Sequence, residues 1–318
     1  MSVYAFLFPG QGSQFVGMGR ALAEAFPAAR EIFEEVDESL RQRLSRLMFE
    51  GPAEELTLTE NAQPALMAVS LAALGVLERE AGIRTRDKVR AAAGHSLGEY
   101  SALAAAESLT LSEAARLLRI RGQAMQHAVA PGAGAMAALL GVELEEAGSI
   151  CAAAAAGPSG PEVVAPANDN GAGQVVISGA REAVERAVEI AKARGVKRAM
   201  LLQVSAPFHC ALMQPAAAAL AEALAAATII PPKVAVVANV TAASMSDPAE
   251  IKELLVRQLT GLVRWRESVT AMTAMGVDSF VELGAGKVLS GLVRRIVPEA
   301  AVHAAGTPPE IESLVRAL

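Results

Sequence analysis

The run VRAAAGHSLGEYSALAA, residues 89–105, constrains this chain more than any other stretch. Val89–Gly94 reads as a short buried strand, and the alanine-rich segment after Gly98 reads as a helix. Between them, Gly94-His95-Ser96-Leu97-Gly98 matches G-x-S-x-G in the strand–turn–helix context that motif requires. So sharp a turn would drive the side chains two before and two after the serine into collision, and glycine at both positions removes the conflict. Ser96 then stands above a sheet, at a helix N-terminus whose free N–H groups and dipole favour an oxyanion. The plainer reading is a glycine turn with Ser96 as an N-cap; the strand before and the helix after favour a nucleophile.

The rest of the chain repeats this rhythm. Val3–Phe8, Val175–Ser178, Ala199–Val204, Val234–Val240 and Ser279–Leu283 read as further strands. Amphipathic patterns fill Gly19–Glu38, Pro64–Glu80, Leu111–His127 and Pro215–Ala227. Strands alternating with helices predict an α/β fold with a mostly parallel sheet. One segment, opening near Ala130 and closing near Gly195, reads instead as strand, helix, strand, strand, helix, strand. That order suits a small ferredoxin-like α+β insert. The expected division is a core of residues 1–130 and 196–318, with residues 131–195 as the insert.

With 318 residues there is ample material for a core, and the net charge of −6 argues against a nucleic-acid partner. Cys151 and Cys210 are too few for a disulfide framework or a metal site. No twenty-residue apolar run predicts a membrane span, and MSVYAFLFPGQG lacks the basic and long apolar regions of a signal peptide. A cytoplasmic enzyme is the expected class.

A serine needs a base, and the chain has four histidines. His95 adjoins Ser96, but neighbouring side chains diverge at such a turn, so it is expected to pack beneath. His127 ends a helix among polar neighbours, and His303 lies in AVHAAG near the C-terminus; structural roles suit both. His209, in QVSAPFHCALMQP, follows the Ala199–Val204 strand, at the kind of strand end where α/β sites collect. FPGQGSQ (Phe8–Gln14) follows the first strand and offers backbone N–H groups around Gln11, though its glycines do not give G-x-G-x-x-G. GAGKVLSG (Gly284–Gly291) imitates a phosphate loop but has Val281 and Val288 where glycine and a hydroxyl residue are needed. Arg121, on a largely apolar helix, reads by position alone as a snorkelling surface arginine.

Taken in order, FPGQGSQ, GHSLGEYSAL, RIRGQAMQ, SAPFHCALM, VRQL and GAGKVLSGL closely resemble the malonyl-CoA:acyl carrier protein transacylases, over essentially the whole chain. The resemblance implies an α/β-hydrolase-like core and a ping-pong acyl transfer. Malonyl-CoA would be the donor and holo-acyl carrier protein the acceptor, with no metal or redox cofactor. It makes Ser96 the acylated nucleophile and His209 its base, oriented by the backbone carbonyl of Gln258. The N–H groups of Gln11 and Leu97 would form the oxyanion hole. Arg121 would grip the malonyl carboxylate, which reverses its snorkelling reading. Phe208, just before the base, would limit substituents on the acyl chain, as in related polyketide acyltransferase domains that use malonyl units.

Two departures from the family pattern, Leu262 in TGLVRW and Ala285 in GAGK, concern loop shape. A monomer is expected. An acidic carrier would dock on local cations, either Lys192, Arg194, Lys197 and Arg198 or Lys287, Arg294 and Arg295. Two alternatives stay open: a serine esterase or thioesterase of α/β type, and a non-catalytic carrier-binding subunit of a synthase.

Overall fold

A computed structural model describes residues 2–317. Among these described residues, twelve strands run β1 (Tyr4–Phe8), β2 (Val89–Gly94), β3 (Gly134–Leu140), β4 (Ala156–Gly157), β5 (Gly160–Pro161), β6 (Val164–Asp169), β7 (Gln174–Ala180), β8 (Arg198–Leu201), β9 (Ala235–Val237), β10 (Ser244–Met245), β11 (Ser279–Leu283) and β12 (Ala301–Ala305). The main sheet has the order β10-β9-β2-β1-β11-β12. Every neighbouring pair is parallel except β9 with β10. Its central strands β1 and β11 are buried at every position. A strand covered on both faces calls for an apolar run, which β1 supplies; in β11 the run is broken by buried Glu282, which accepts from the Leu289 and Ser290 N–H groups, and helices supply the cover. The result is the α/β-hydrolase-like core expected from the sequence.

One face carries the helix Thr59–Arg79, buried along nearly its whole length, packed on Leu111–His127. The other face carries the helices Trp265–Ala274 and Val288–Ile296, whose Trp265, Val269, Leu289 and Leu292 join the core with Phe280 of β11. The single amphipathic run over Gly19–Glu38 is two helices, Arg20–Ala25 and Pro27–Leu40. Extended Phe26 separates them, and Pro27 starts the second at a position where its missing N–H is not needed.

The second sheet has the order β6-β7-β3-β8, antiparallel throughout, with the helices Leu144–Ala154 and Arg181–Ala193 packed on it. This is the ferredoxin-like arrangement. Its fourth strand corrects the sequence reading. Arg198–Leu201 pairs with β3, not with the main sheet, so the small sheet extends past residue 195, where the insert was expected to close. A short apolar run reveals that a strand exists, not which sheet it joins. The small sheet is tied to the core where Asp169 N donates to Val263 O and Val263 N to Ala167 O, each at 2.9 Å, Val263 lying just before the helix Trp265–Ala274.

Candidate active site

The C-terminal ends of β1, β2 and β9 bring Gln11, Ser96 and Asn239 to one edge of the main sheet, as expected for an open α/β fold. Ser96 lies at φ 53°, in the left-handed region. The two flanking glycines are steric necessities. A Cβ on Gly94 would stand 1.9 Å from the Gly98 carbonyl, and one on Gly98 would stand 2.2 Å from Phe8 O. No side chain could be accommodated at either place, which is why the serine can be thrust forward.

Ser96 Oγ lies 2.8 Å from His209 Nε2, and His209 Nδ1 lies 2.8 Å from the Gln258 carbonyl oxygen. A carbonyl can only accept, so Nδ1 carries the hydrogen and Nε2 presents its lone pair to the serine hydroxyl. Burial, helped by the nearby Arg121 guanidinium, pushes the His209 pKa down to about 3. The imidazole is therefore neutral, and able to take a proton, across the physiological range. His209 itself has φ 59°. It sits in the loop after β8, which returns the chain from the small sheet to the core. The strand that drew attention to it thus belongs to the other sheet.

Arg121 is fully buried and does not snorkel. Its Nη2 donates to Ser96 Oγ at 3.0 Å and to Gln258 Oε1 at 2.8 Å, its Nη1 donates to Gln63 Oε1 at 2.8 Å, and its carbon Cζ lies 5.8 Å from the Tyr100 ring centre. A cavity of about 560 Å³ opens over this group, lined among others by Gln11, Ser96, Arg121, Met125, Phe208 and His209. Phe208 is buried in its wall. The Gln11 and Leu97 amides donate to no protein acceptor among the described backbone hydrogen bonds. They border Ser96 from the β1 loop and from the next residue in the chain. His95 turns away from His209 and Ser96 Oγ, as the divergence of neighbouring side chains implies, and adds a contact that the sequence did not suggest. It packs against fully buried Trp265, with ring centres 5.5 Å apart, and also joins the cavity wall, with Nε2 3.0 Å from Asn170 Oδ1.

Several partners escaped the sequence reading. Asn239 Oδ1 accepts the Ser96 N–H at 2.8 Å, and its Nδ2 donates to Gly94 O at 2.8 Å. Fully buried Glu99 accepts from Asn239 N at 2.8 Å and from Gln258 Nε2 at 2.9 Å, all through Oε2. Burial pushes its pKa up to about 7, against these two donors and Arg121. The available signal was an acid in an alanine-rich helix start and an asparagine inside VAVVANV, both polar where the pattern demands apolar residues. The Gln258 side chain, given no role from sequence, lies at the centre of this network. Among the described residues, no group of three or more His, Cys, Asp or Glu is placed to hold a metal ion, and no helix is long and apolar enough to cross a membrane.

A serine at φ 53° on a strand-to-helix turn, a neutral histidine at hydrogen-bonding distance and a buried cation at the same hydroxyl form an arrangement of the kind that serine acyl transfer requires. Residues 5–308 match the family described as "Acyl transferase domain". The chain is 49% identical over 318 residues to a malonyl CoA-acyl carrier protein transacylase of Bacillus subtilis (strain 168), covering 100% of this chain and 98% of that one. Among solved structures, an acyl-carrier-protein-S-malonyltransferase from Bartonella henselae matches with a TM-score of 0.95 and 54% identity, over 99% of both chains. A malonyl-transacylase in complex with a type II polyketide synthase acyl-carrier protein matches with a TM-score of 0.95 and 42% identity, over 100% of both chains. The chain belongs to the malonyl-CoA:acyl carrier protein transacylase family.

Proposed function

We propose that this protein transfers the malonyl group from malonyl-CoA to the phosphopantetheine thiol of holo-acyl carrier protein, through malonyl-Ser96. The observation that carries this reading is Arg121 Nη2 at 3.0 Å from Ser96 Oγ, inside the cavity. In a malonyl ester the carboxylate carbon stands two bonds beyond the acyl carbon, so bonds of about 1.5 Å keep it within about 4 Å of Oγ. That range matches the guanidinium. An acetyl group has nothing to offer the cation there, and a general esterase gains nothing from burying one.

His209 Nε2 takes the Ser96 proton as Oγ bonds to the thioester carbon. The Gln11 and Leu97 amides receive the oxyanion. As the carbon–sulfur bond breaks, His209 returns the proton to the coenzyme A sulfur. In the second half-reaction the carrier thiol gives its proton to His209 and attacks the malonyl carbonyl; the ester bond breaks and Ser96 recovers the proton. The Gln258 carbonyl stabilises the imidazolium through Nδ1–H, where many hydrolases use a carboxylate. Arg121 binds the malonyl carboxylate by charge-assisted hydrogen bonds throughout. Phe208 borders the acyl chain.

Every group in this scheme comes from one chain, which supports a monomer. Both cysteines are free and buried, which supports a reducing compartment such as the cytoplasm. Intact-protein mass spectrometry after brief exposure to malonyl-CoA tests the reading. One malonyl adduct is expected, mapping to Ser96 and absent from Ser96→Ala. An unmodified wild type, or a modified Ser96→Ala, overturns it.

A further inference from the structure

The network behind Ser96 contains a single carboxylate, Glu99, and the scheme above makes no use of it. It lies fully buried in the first turn of the helix Gly98–Ala105. The Gln258 NH₂ group faces three acceptors, Glu99 Oε2 at 2.9 Å, Ser96 O at 3.0 Å and Asn239 Oδ1 at 3.2 Å. Turned the other way, the amide would set its own oxygen against all three and its NH₂ group against the Arg121 guanidinium. An amide presents donors on one side and an acceptor on the other, so surrounding groups decide its orientation. Oriented as it is, Gln258 Oε1 meets Arg121 Nη2 at 2.8 Å, and that nitrogen reaches Ser96 Oγ at 3.0 Å.

We infer that Glu99 is a positioning residue: by fixing the Gln258 amide it holds the Arg121 guanidinium beside Ser96, and so sets the preference for a carboxylate-bearing acyl group. Asn239 is its second arm. With its N–H held by Glu99, Asn239 takes the Ser96 N–H on Oδ1 and gives Nδ2 to Gly94 O. Those bonds brace the serine at φ 53°. A residue in that region persists only where its surroundings over-determine it. Glu99 Oε1 has no protein partner. It can carry a proton while Oε2 continues to accept, so the clamp works in either protonation state.

This inference rests on the acyl-transfer reading of the site. Its test is the ratio of kcat/KM for malonyl over acetyl transfer, measured for Glu99→Gln and Glu99→Met, with fluorophosphonate labelling of Ser96 as a readout independent of Arg121. Glutamine keeps an oxygen at the Oε2 position, so its ratio should stay within about threefold of wild type, whereas methionine keeps the length but no acceptor, and its ratio should fall about tenfold or more while Ser96 still labels. An unchanged ratio in a folded Glu99→Met, or an equal fall in both variants, overturns the inference. If Glu99→Met does not fold, Glu99→Asp is made instead, which keeps the carboxylate but withdraws it from the Gln258 amide by one methylene. Its malonyl-to-acetyl ratio should fall about threefold or more while Ser96 still labels; an unchanged ratio overturns the inference. Failure of the functional reading would show separately, as a wild-type Ser96 that malonyl-CoA does not modify.

Discussion

Arg121 Nη2 and Ser96 Oγ are 3.0 Å apart, so a fully buried cation and the hydroxyl that meets His209 share one hydrogen bond. On the proposed malonyl-Ser96 intermediate, the acyl group would form beside a positive charge. A buried charge-assisted hydrogen bond contributes about 1.5–3 kcal/mol, or roughly ten- to a hundredfold in rate. Arg121→Ala should lower the malonyl-to-acetyl ratio of kcat/KM by that factor. Parallel assays with the two coenzyme A thioesters check it, and an unchanged ratio would refute the assignment.

Gln258 acts in two ways, and the variants should separate them. Its carbonyl holds His209, and its side chain links Arg121, Glu99 and Ser96 O. Were the carbonyl its sole contribution, Gln258→Ala would lose only modestly, because the carbonyl survives. The side-chain network makes the expected loss larger. His209→Ala should lose about 10²–10⁴ in malonylation rate, the usual loss on removing a general base. Gln258→Ala should lose less rate but shift the malonyl-to-acetyl ratio. It should also destabilise the fold by about 1–3 kcal/mol, because buried acceptors lose their donor. A Gln258→Ala enzyme with wild-type ratio and melting temperature would show that the side chain is idle.

Glu99 makes stability depend on pH with a definite sign. Its pKa rises from 4.5 to about 7 on folding, chiefly through burial. Between those values the unfolded chain has released a proton that the folded one retains. The contribution is thus fully present below 4.5 and is lost as pH rises through about 7. His209, with its pKa lowered, acts in the opposite sense and destabilises the fold as pH falls below 6.5 towards about 3. Comparing wild type with Glu99→Gln isolates the first group, since His209 is common to both. The melting temperature of Glu99→Gln minus that of wild type should be more positive at pH 8 than at pH 5. A difference independent of pH would mean that Glu99 does not keep its proton on folding.

What the sequence could reveal follows from how far each interaction reaches along the chain. The elbow at Ser96 is local: two glycines, a strand and a helix within fifteen residues or so, so Gly94, Ser96 and Gly98 announce themselves. The strands β1, β2 and β11 are short, mostly apolar stretches, broken only by exposed Arg90 in β2 and by Ser279 and buried Glu282 in β11, and that predominance makes them legible. The pairing of Arg198–Leu201 with β3 spans some sixty residues, and no local pattern encodes it. Asn239 and Glu99 meet across 140 positions. Neither belongs to a spacing motif, so only the folded chain shows them as a pair. Arg121 lies between these cases: its helix was legible, but its burial depends on Gln63 and Gln258 arriving from elsewhere.

Phe208 lines the cavity one residue before His209 and is buried there. Beside the acyl chain, where the proposed function sets it, a phenyl ring would leave little room for a branch on the carbon between its two carbonyl groups. One methyl group changes discrimination in an apolar pocket by about 1–3 kcal/mol, so exclusion should be partial. Phe208→Ser should raise methylmalonyl transfer relative to malonyl transfer in a competition assay. A constant ratio would make Phe208 an ordinary core residue.

The carrier should meet the cations near the cavity mouth, and the structure separates the two candidate clusters. The helix Val288–Ile296 supplies Val288, Leu289 and Leu292 to the cavity lining, and Arg295 Nη2 donates to the side chain of Gln174, also in that lining. Val288 is exposed at 52%, an apolar contact for a partner at the rim. Lys192, by contrast, is paired with Glu189 at 2.7 Å on the helix Arg181–Ala193, and Arg194 donates to Ser149 on the outer helices of the small sheet. Lys287 is engaged with Glu310 at 2.6 Å, which leaves Arg294 and Arg295 as the better steering charges of their cluster. An acidic carrier approaching a chain of net charge −6 needs such a local positive field, and salt screens it over about 10 Å at 0.1 M. Arg294→Glu/Arg295→Glu should raise the KM for holo-carrier and flatten its salt dependence, while malonylation of Ser96 by malonyl-CoA stays near the wild-type rate. The same reversal at Lys192 and Arg194 should change the carrier KM far less. If the reversed arginine pair leaves the carrier KM and its salt dependence intact, the carrier docks elsewhere on the rim.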